Sequence, residues 1–204
     1  MLDYTHPALT ATAQRLPETI AQLPRELSGP EVLALWKAAT HDAKVVIAGL
    51  LGGMSLEEIG ALRYEHIDLN AGSARLPAPF NRTCKLHEAM KTVLRERQAA
   101  KGGAAPLSDA LDRPLSEADL EGLVACAACD AGLANPSEVN ADSLRHTYFA
   151  YLVRQGARLS EIGEFIGRIP PAAFRDYGRL SPAGPGLPLE RIDPVFPALR
   201  APLA

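Results

Sequence analysis

Apolar and polar positions alternate along this chain with helical spacing over most of its length. Val32, Leu35, Trp36 and Ala39 recur at three- and four-residue intervals, which predicts one helix with a single buried stripe. Its start is signalled by Ser28, with Pro30 in the first turn and Glu31 three residues on, a capping-box arrangement. Asp42 to Leu51 is almost wholly apolar and reads as a central core helix. Ser55 and Glu58 repeat the Ser-x-x-Glu spacing and open a further helix. His87 to Gln98 turns Met90, Val93 and Leu94 inward, and Ser116 to Gly132 forms a helix capped by Ser116 with Asp119 three residues later. Leu144, Tyr148, Tyr151 and Leu152 fall on one helical face. Short helices are expected from Ser160 to Ile166, stopped by Gly167 as a C′ residue, and around Phe174 and Tyr177.

Period-two signals are confined to the middle of the chain. Ile67 and Leu69 alternate, Asn70-Ala71-Gly72 is a turn, and Ala74 to Leu76 and Arg82 to Leu86 can pair as the next two strands. The expected fold class is therefore mainly α with a small antiparallel β-sheet (α+β), the sheet lying between residues 66 and 87. Three segments are expected: an N-terminal extension over 1–25, the domain proper over 26–180, and a Pro-rich C-terminal tail over 181–204. The tail carries Pro182, Pro185, Pro188, Pro194, Pro197 and Pro202, which forbid a long helix. Ile192, Val195, Phe196 and Leu199 can anchor it, either on its own domain or, by self-association, on a neighbouring copy.

Composition narrows the partners. Of 204 residues 47% are hydrophobic, enough for a core. No apolar run reaches the roughly 18 residues that suggest a membrane span, so no membrane role is expected. Three cysteines form no disulfide framework, which fits a cytoplasmic location. Cys126 and Cys129 make a lone Cys-x-x-Cys without a second pair to complete a zinc site, and are expected as small buried residues one turn apart. The net charge is −3 and the pI near 6.0. A duplex-binding domain usually has a basic face, because releasing counterions from phosphates supplies most non-specific affinity, so this balance argues against tight, autonomous DNA binding. Lys91, Arg95 and Arg97, with Lys101, are expected to form a solvated basic face.

The chemistry-bearing stretch is Asp142-Ser143-Leu144-Arg145-His146-Thr147, followed by Ile166-Gly167-Arg168 and then Tyr177, nine residues beyond Arg168. In order and spacing this resembles the catalytic domain of the tyrosine recombinases, the phage integrase family. Leu144 to Thr147 matches the family's Leu-Arg-His-Thr core, Ile166-Gly167-Arg168 its Leu-Gly-His turn, and Tyr177 its nucleophile. Gly52 to Ile59 aligns without a gap to its Thr-Gly-Leu-Arg-x-x-Glu motif, with the glutamate kept as Glu58.

The resemblance implies transesterification at a DNA phosphodiester through a 3′-phosphotyrosine, with duplex DNA as partner and no metal or other cofactor. On that pattern Tyr177, Arg145, Arg168 and His146 are the catalytic candidates, and Arg145 and Arg168 the phosphate-binding ones. Four family positions carry other groups. Ser55 stands for the first arginine, Pro77 for the lysine that protonates the leaving oxygen, Asp142 for the first histidine and Arg168 for the second. Lys85, on the following strand, is a poor substitute for that lysine. Ser55 reads instead as a helix cap, and Asp142 as the N-cap of a helix beginning at Ser143, with Arg145 in its first turn.

One missing group that stabilises transition-state charge lowers the rate about 10² to 10³-fold, and a missing arginine at a phosphoryl centre roughly 10³ to 10⁵-fold. The leading expectation is therefore a recombinase-like DNA-binding domain impaired in strand cleavage. The alternatives are an active, divergent site-specific recombinase using Tyr177, and a protein-interaction scaffold with the recombinase fold and no DNA role.

Overall fold

A computed structural model of the protein describes residues 23–101, 106–107, 113–167 and 171–200. Residues 1–22, which hold most of the expected extension, and Arg168 lie outside the described residues. The described part is mostly helical, with one three-stranded antiparallel sheet, as the periodicity predicts.

Helix α1 (Gly29–Ala38) starts at a complete Ser28/Glu31 capping box and buries Val32, Leu35 and Trp36. Helix α2 (His41–Leu50) is capped by Thr40 and is buried along most of its length. It runs through the middle of the domain, against α4 (Glu88–Lys101), α5 (Glu117–Asp130) and α6 (Ala141–Arg154). A sequence apolar on every side is what a helix enclosed by three others requires.

Strands β1 (Ile67–Asp68), β2 (Ser73–Arg75) and β3 (Thr83–Lys85) follow the short helix α3 (Leu56–Gly60) and pair in chain order. Ala74 pairs with both Ile67 and Cys84. This register turns Ala74 and Cys84 into the core and Arg75, Thr83 and Lys85 outward. The hairpin between β2 and β3 holds Pro77 and a cis Ala78–Pro79 bond.

Helix α5 carries the expected Ser116/Asp119 box. Its core face is Leu120, Val124, Ala127 and Ala128, so Cys126 and Cys129 fall outside it and are exposed, contrary to the sequence expectation. The basic face expected on α4 is also corrected. Arg97 is 4% exposed and pairs with Asp42 of α2, because it continues the inward stripe of Met90, Val93 and Leu94 by one turn. Lys91 is largely covered and pairs with Glu88.

The tail lies on its own domain. Ile192, Phe196 and Leu199 join the core, and the turn Pro197–Leu199 lies against α1. The hydroxyls of Tyr148 and Tyr151 donate to the carbonyls of Pro194 and Val195 at 2.9 and 3.1 Å. Gln155 exchanges two hydrogen bonds with the Asp193 backbone. The segment forms short turns of its own at Leu189–Arg191 and Pro197–Leu199, and side chains of α6 satisfy backbone groups between them. No described helix is long and apolar enough to cross a membrane.

Candidate functional site

The site is organised by the first turns of α6. Its cap is Asn140, one of the residues the sequence reading passed over. The Ser143 N–H donates to Asn140 Oδ1 at 2.8 Å, and the Asn140 N–H donates to Ser143 Oγ at 2.9 Å. A carboxylate joins from α5: Glu121 accepts from the Ala141 N–H at 3.0 Å. Asp142 is therefore inside the helix and exposed, and is not the cap expected of it. Arg145 is the fifth residue of α6 and sits in the second turn, one turn later than predicted. The reason is that Asn140 caps as well as aspartate does, and two acceptors at its end hold the start two residues earlier.

Successive residues of α6 point in different directions, and this separates the candidate groups. Arg145 faces a cleft of about 790 Å³, also lined by Ser55, Glu57, Glu58, Arg82, Glu117, Glu121, Asp142 and Gly167. Arg145 Nη2 donates to the Ile166 carbonyl at the end of α7 (Gly163–Ile166), and Arg145 Nε is buried with no hydrogen-bond partner. Burial, reinforced by the nearby Arg82 charge, lowers the Arg145 pKa from its usual value. His146 points the other way, into the interior, where it is 4% exposed. Thr147 accepts from the Leu27 N–H at 2.9 Å and donates to the Ser143 carbonyl at 2.7 Å. Its role is to tie the N-terminal segment to α6.

Tyr177 lies on α8 (Pro171–Gly178), 7% exposed. Its hydroxyl and His146 Nδ1 share a hydrogen bond of 2.7 Å. Its ring lies against Phe149 with centroids 3.7 Å apart. Burial pushes its pKa up to about 12, although the Arg145 charge pulls the other way. Burial also lowers the pKa of His146 and so favours its neutral form. Tyr177 and His146 are not among the residues that line the Arg145 cleft.

Ser55 is the cap of α3: the Glu58 N–H donates to Ser55 Oγ at 3.2 Å and the Ser55 N–H to Glu58 Oε2 at 2.8 Å. Glu58 is 5% exposed and serves a second purpose. Arg82, at the end of the hairpin, donates Nε and Nη2 to its two oxygens, both at 2.6 Å. The same guanidinium donates to the carbonyls of Phe165 and Gly53 at 3.1 and 3.0 Å. Gly167, with φ +72°, passes so close that a Cβ there would stand 3.0 Å from Arg82 Nε. One arginine thus joins the α2–α3 turn, α3 and the end of α7.

Sequence reasoning missed Arg82 as a site residue. The signal was there, since Arg82 to Leu86 aligns with the family's Arg-x-Val-Pro-Leu strand. Pro77 remains on the hairpin beside the site without a cation to offer. Lys85 lines a different groove of about 560 Å³ between β3 and the tail. Among the described residues no group of three or more His, Cys, Asp and Glu side chains is arranged to hold a metal ion.

No family model and no curated protein sequence matches the chain. Solved structures do. The crystal structure of XerA recombinase superimposes with a TM-score of 0.67 at 18% identity, over 76% of this chain and 60% of that one. The XerH site-specific recombinase bound to its palindromic difH substrate gives 0.64 at 17%, over 78% and 51%. The integrase of mycobacterium phage Brujita gives 0.60 at 20%, over 90% and 64%. The chain therefore has a tyrosine-recombinase-like catalytic-domain fold. It spans between half and two thirds of the length of these proteins.

Proposed function

We propose that this chain is a recombinase-fold domain that contacts duplex DNA without cleaving it. The observation that carries this reading is that the Tyr177 hydroxyl bonds His146 while Tyr177 does not line the cleft that Arg145 faces. Attack on phosphorus requires the tyrosine oxygen within about 3 to 3.5 Å of it, while the guanidinium steadies the phosphate oxygens. Here the hydroxyl is spent on His146 in the interior, and Arg145 opens on a cleft that does not include it.

The cleft's own charges weigh against cleavage. Glu57, Glu58, Glu117, Glu121 and Asp142 face two arginines, and Arg82 is already committed to Glu58. Among the described residues, a phosphate entering there meets more negative than positive charge. The position that bears the family's lysine is Pro77, so the leaving 5′-oxygen has no donor on the hairpin. Among the described residues what remains is Arg145, able to hold one phosphate oxygen, and the outward row of Arg75 and Lys85 on the sheet.

The test is a nicked duplex that traps a 3′-phosphotyrosine, run on a denaturing gel beside Tyr177→Phe. This reading expects no trapped band, with a mobility shift on duplex DNA that weakens as salt rises and again in Arg145→Ala. An absent shift at low salt favours the protein-interaction scaffold, which the acidic cleft suits.

One observation favours a different reading, the divergent recombinase. The 2.7 Å spacing of His146 and Tyr177 is that of a nucleophile and its base. A trapped band that disappears in Tyr177→Phe establishes that reading, with α8 moving to bring the pair to the DNA.

A further inference from the structure

The exposed thiols of α5 carry an inference independent of DNA. Helix α5 is fixed in register by its Ser116/Asp119 box and by the burial of Leu120, Val124, Ala127 and Ala128. Cys126 and Cys129 stand beside that core face, three residues apart and both open to solvent. On a helix, side chains three apart are neighbours, with Cβ atoms about 5 to 6 Å apart, and both lean toward the N-terminus. The two sulfurs therefore share one small patch of surface.

Distance decides what such a pair can do. A disulfide needs Cβ atoms about 3.8 Å apart, closer than an intact helical turn places them. Two thiolates on one metal ion, each at about 2.3 Å, have sulfurs up to about 4.6 Å apart, which the same turn accommodates. Among the described residues no third ligand is grouped with them. A tetrahedral zinc site is thus left incomplete, whereas soft thiolates select monovalent copper, a d¹⁰ ion content with two ligands.

We propose that Cys126 and Cys129 form a two-thiolate site for a soft monovalent cation of the Cu(I) class. On binding, two S–H bonds ionise, two S–Cu bonds form, and two protons pass to solvent. Copper enters and stays as Cu(I), so no oxidant or reductant is needed.

Cys84 provides an internal control. It is 3% exposed on β3, and burial pushes its thiol pKa up to about 11, so it is protonated and inaccessible at neutral pH.

The experiment titrates the reduced full chain anaerobically with Cu(I) in competition with a colorimetric Cu(I) chelator. Mass is followed by size exclusion and folding by circular dichroism. The expected result is one Cu(I) per chain with the mass unchanged. Cys126→Ser and Cys129→Ser each weaken binding more than about tenfold, since one of two soft ligands is lost, while Cys84→Ser leaves it unaltered. Copper retained by the folded Cys126→Ser/Cys129→Ser double variant overturns the assignment. So does failure to compete for Cu(I). One copper per two chains with doubled mass also overturns it, because the ion is then held between copies.

Discussion

The Tyr177 hydroxyl of α8 lies 2.7 Å from Nδ1 of His146 on α6, with both residues buried. A tyrosine placed this way is a stabilising element, and this can be measured. Tyr177→Phe keeps the ring on Phe149 but leaves the buried Nδ1 unsatisfied, at a cost of about 1 to 3 kcal/mol. Tyr177→Ala also removes the ring, for about 3 to 5 kcal/mol in all. Urea unfolding checks both. A Tyr177→Phe variant as stable as the parent would mean that the hydroxyl is free, as a presented nucleophile's is.

The Arg82–Glu58 pair is the second measurable relationship. Its side chains are 16% and 6% exposed, and the guanidinium's remaining bonds reach the carbonyls of Phe165 and Gly53. Removing one partner from a buried pair leaves an uncompensated charge, costing about 3 to 5 kcal/mol. Arg82→Leu and Glu58→Gln are both expected in that range. In the double variant the costs fall well short of additive, and a double-mutant cycle from denaturant melts reads the coupling. Additive costs would show that the two side chains stabilise the domain separately.

Much of this architecture was legible from spacing alone. Helical stripes placed α1, α4 and α6, near-continuous apolarity placed α2, a capping pair placed α5, and alternation around a Gly72 turn placed the sheet. The site was legible only as far as one-dimensional spacing reaches. Arg145, His146 and Tyr177 stand in family order, yet one residue along α6 turns a side chain by about 100°, and that rotation parts Arg145 from His146. Arg82 escaped notice because its partners lie 24 and 83 positions away. The tail's anchors were identified, but not the surface that takes them. Arg97 was misread as solvated because charge was weighed above its place on the inward stripe.

The misplaced start of α6 gives a third prediction. Asn140 Oδ1 accepts from the Ser143 N–H and the Asn140 N–H donates to Ser143 Oγ at the helix entrance, while Asp142 points to solvent. Asn140→Ala should cost about 1 kcal/mol, the ordinary loss for a cap. Asp142→Ala should stay within about 0.5 kcal/mol, as exposed substitutions usually do. Thermal melts of the two variants compare them directly. The reverse order would return the cap to Asp142.

The last prediction concerns pH, and two opposite signs define it. His146 and His87 are both buried with pKa values lowered below the usual 6.5. A lowered histidine resists protonation in the folded state while the unfolded chain accepts the proton. Their contribution is thus complete above about pH 6.5 and declines as pH falls through the folded values. Tyr177 behaves as a raised acid. Its folded pKa is about 12 against the ordinary tyrosine value of 10.0, so its contribution is complete below pH 10 and declines as pH climbs from 10 toward 12. Tyr64, also raised to about 12 by burial, adds to the same limb. Stability should therefore be level between about pH 7 and 9 in these terms, with a histidine shoulder on the acid side and a tyrosine shoulder on the alkaline side. Urea midpoints across pH 5 to 11 test this for the parent, Tyr177→Phe and His146→Phe. Tyr177→Phe should flatten part of the alkaline limb, and His146→Phe part of the acid limb. An alkaline limb unchanged in Tyr177→Phe would place its hydroxyl in water, outside the interior described for it.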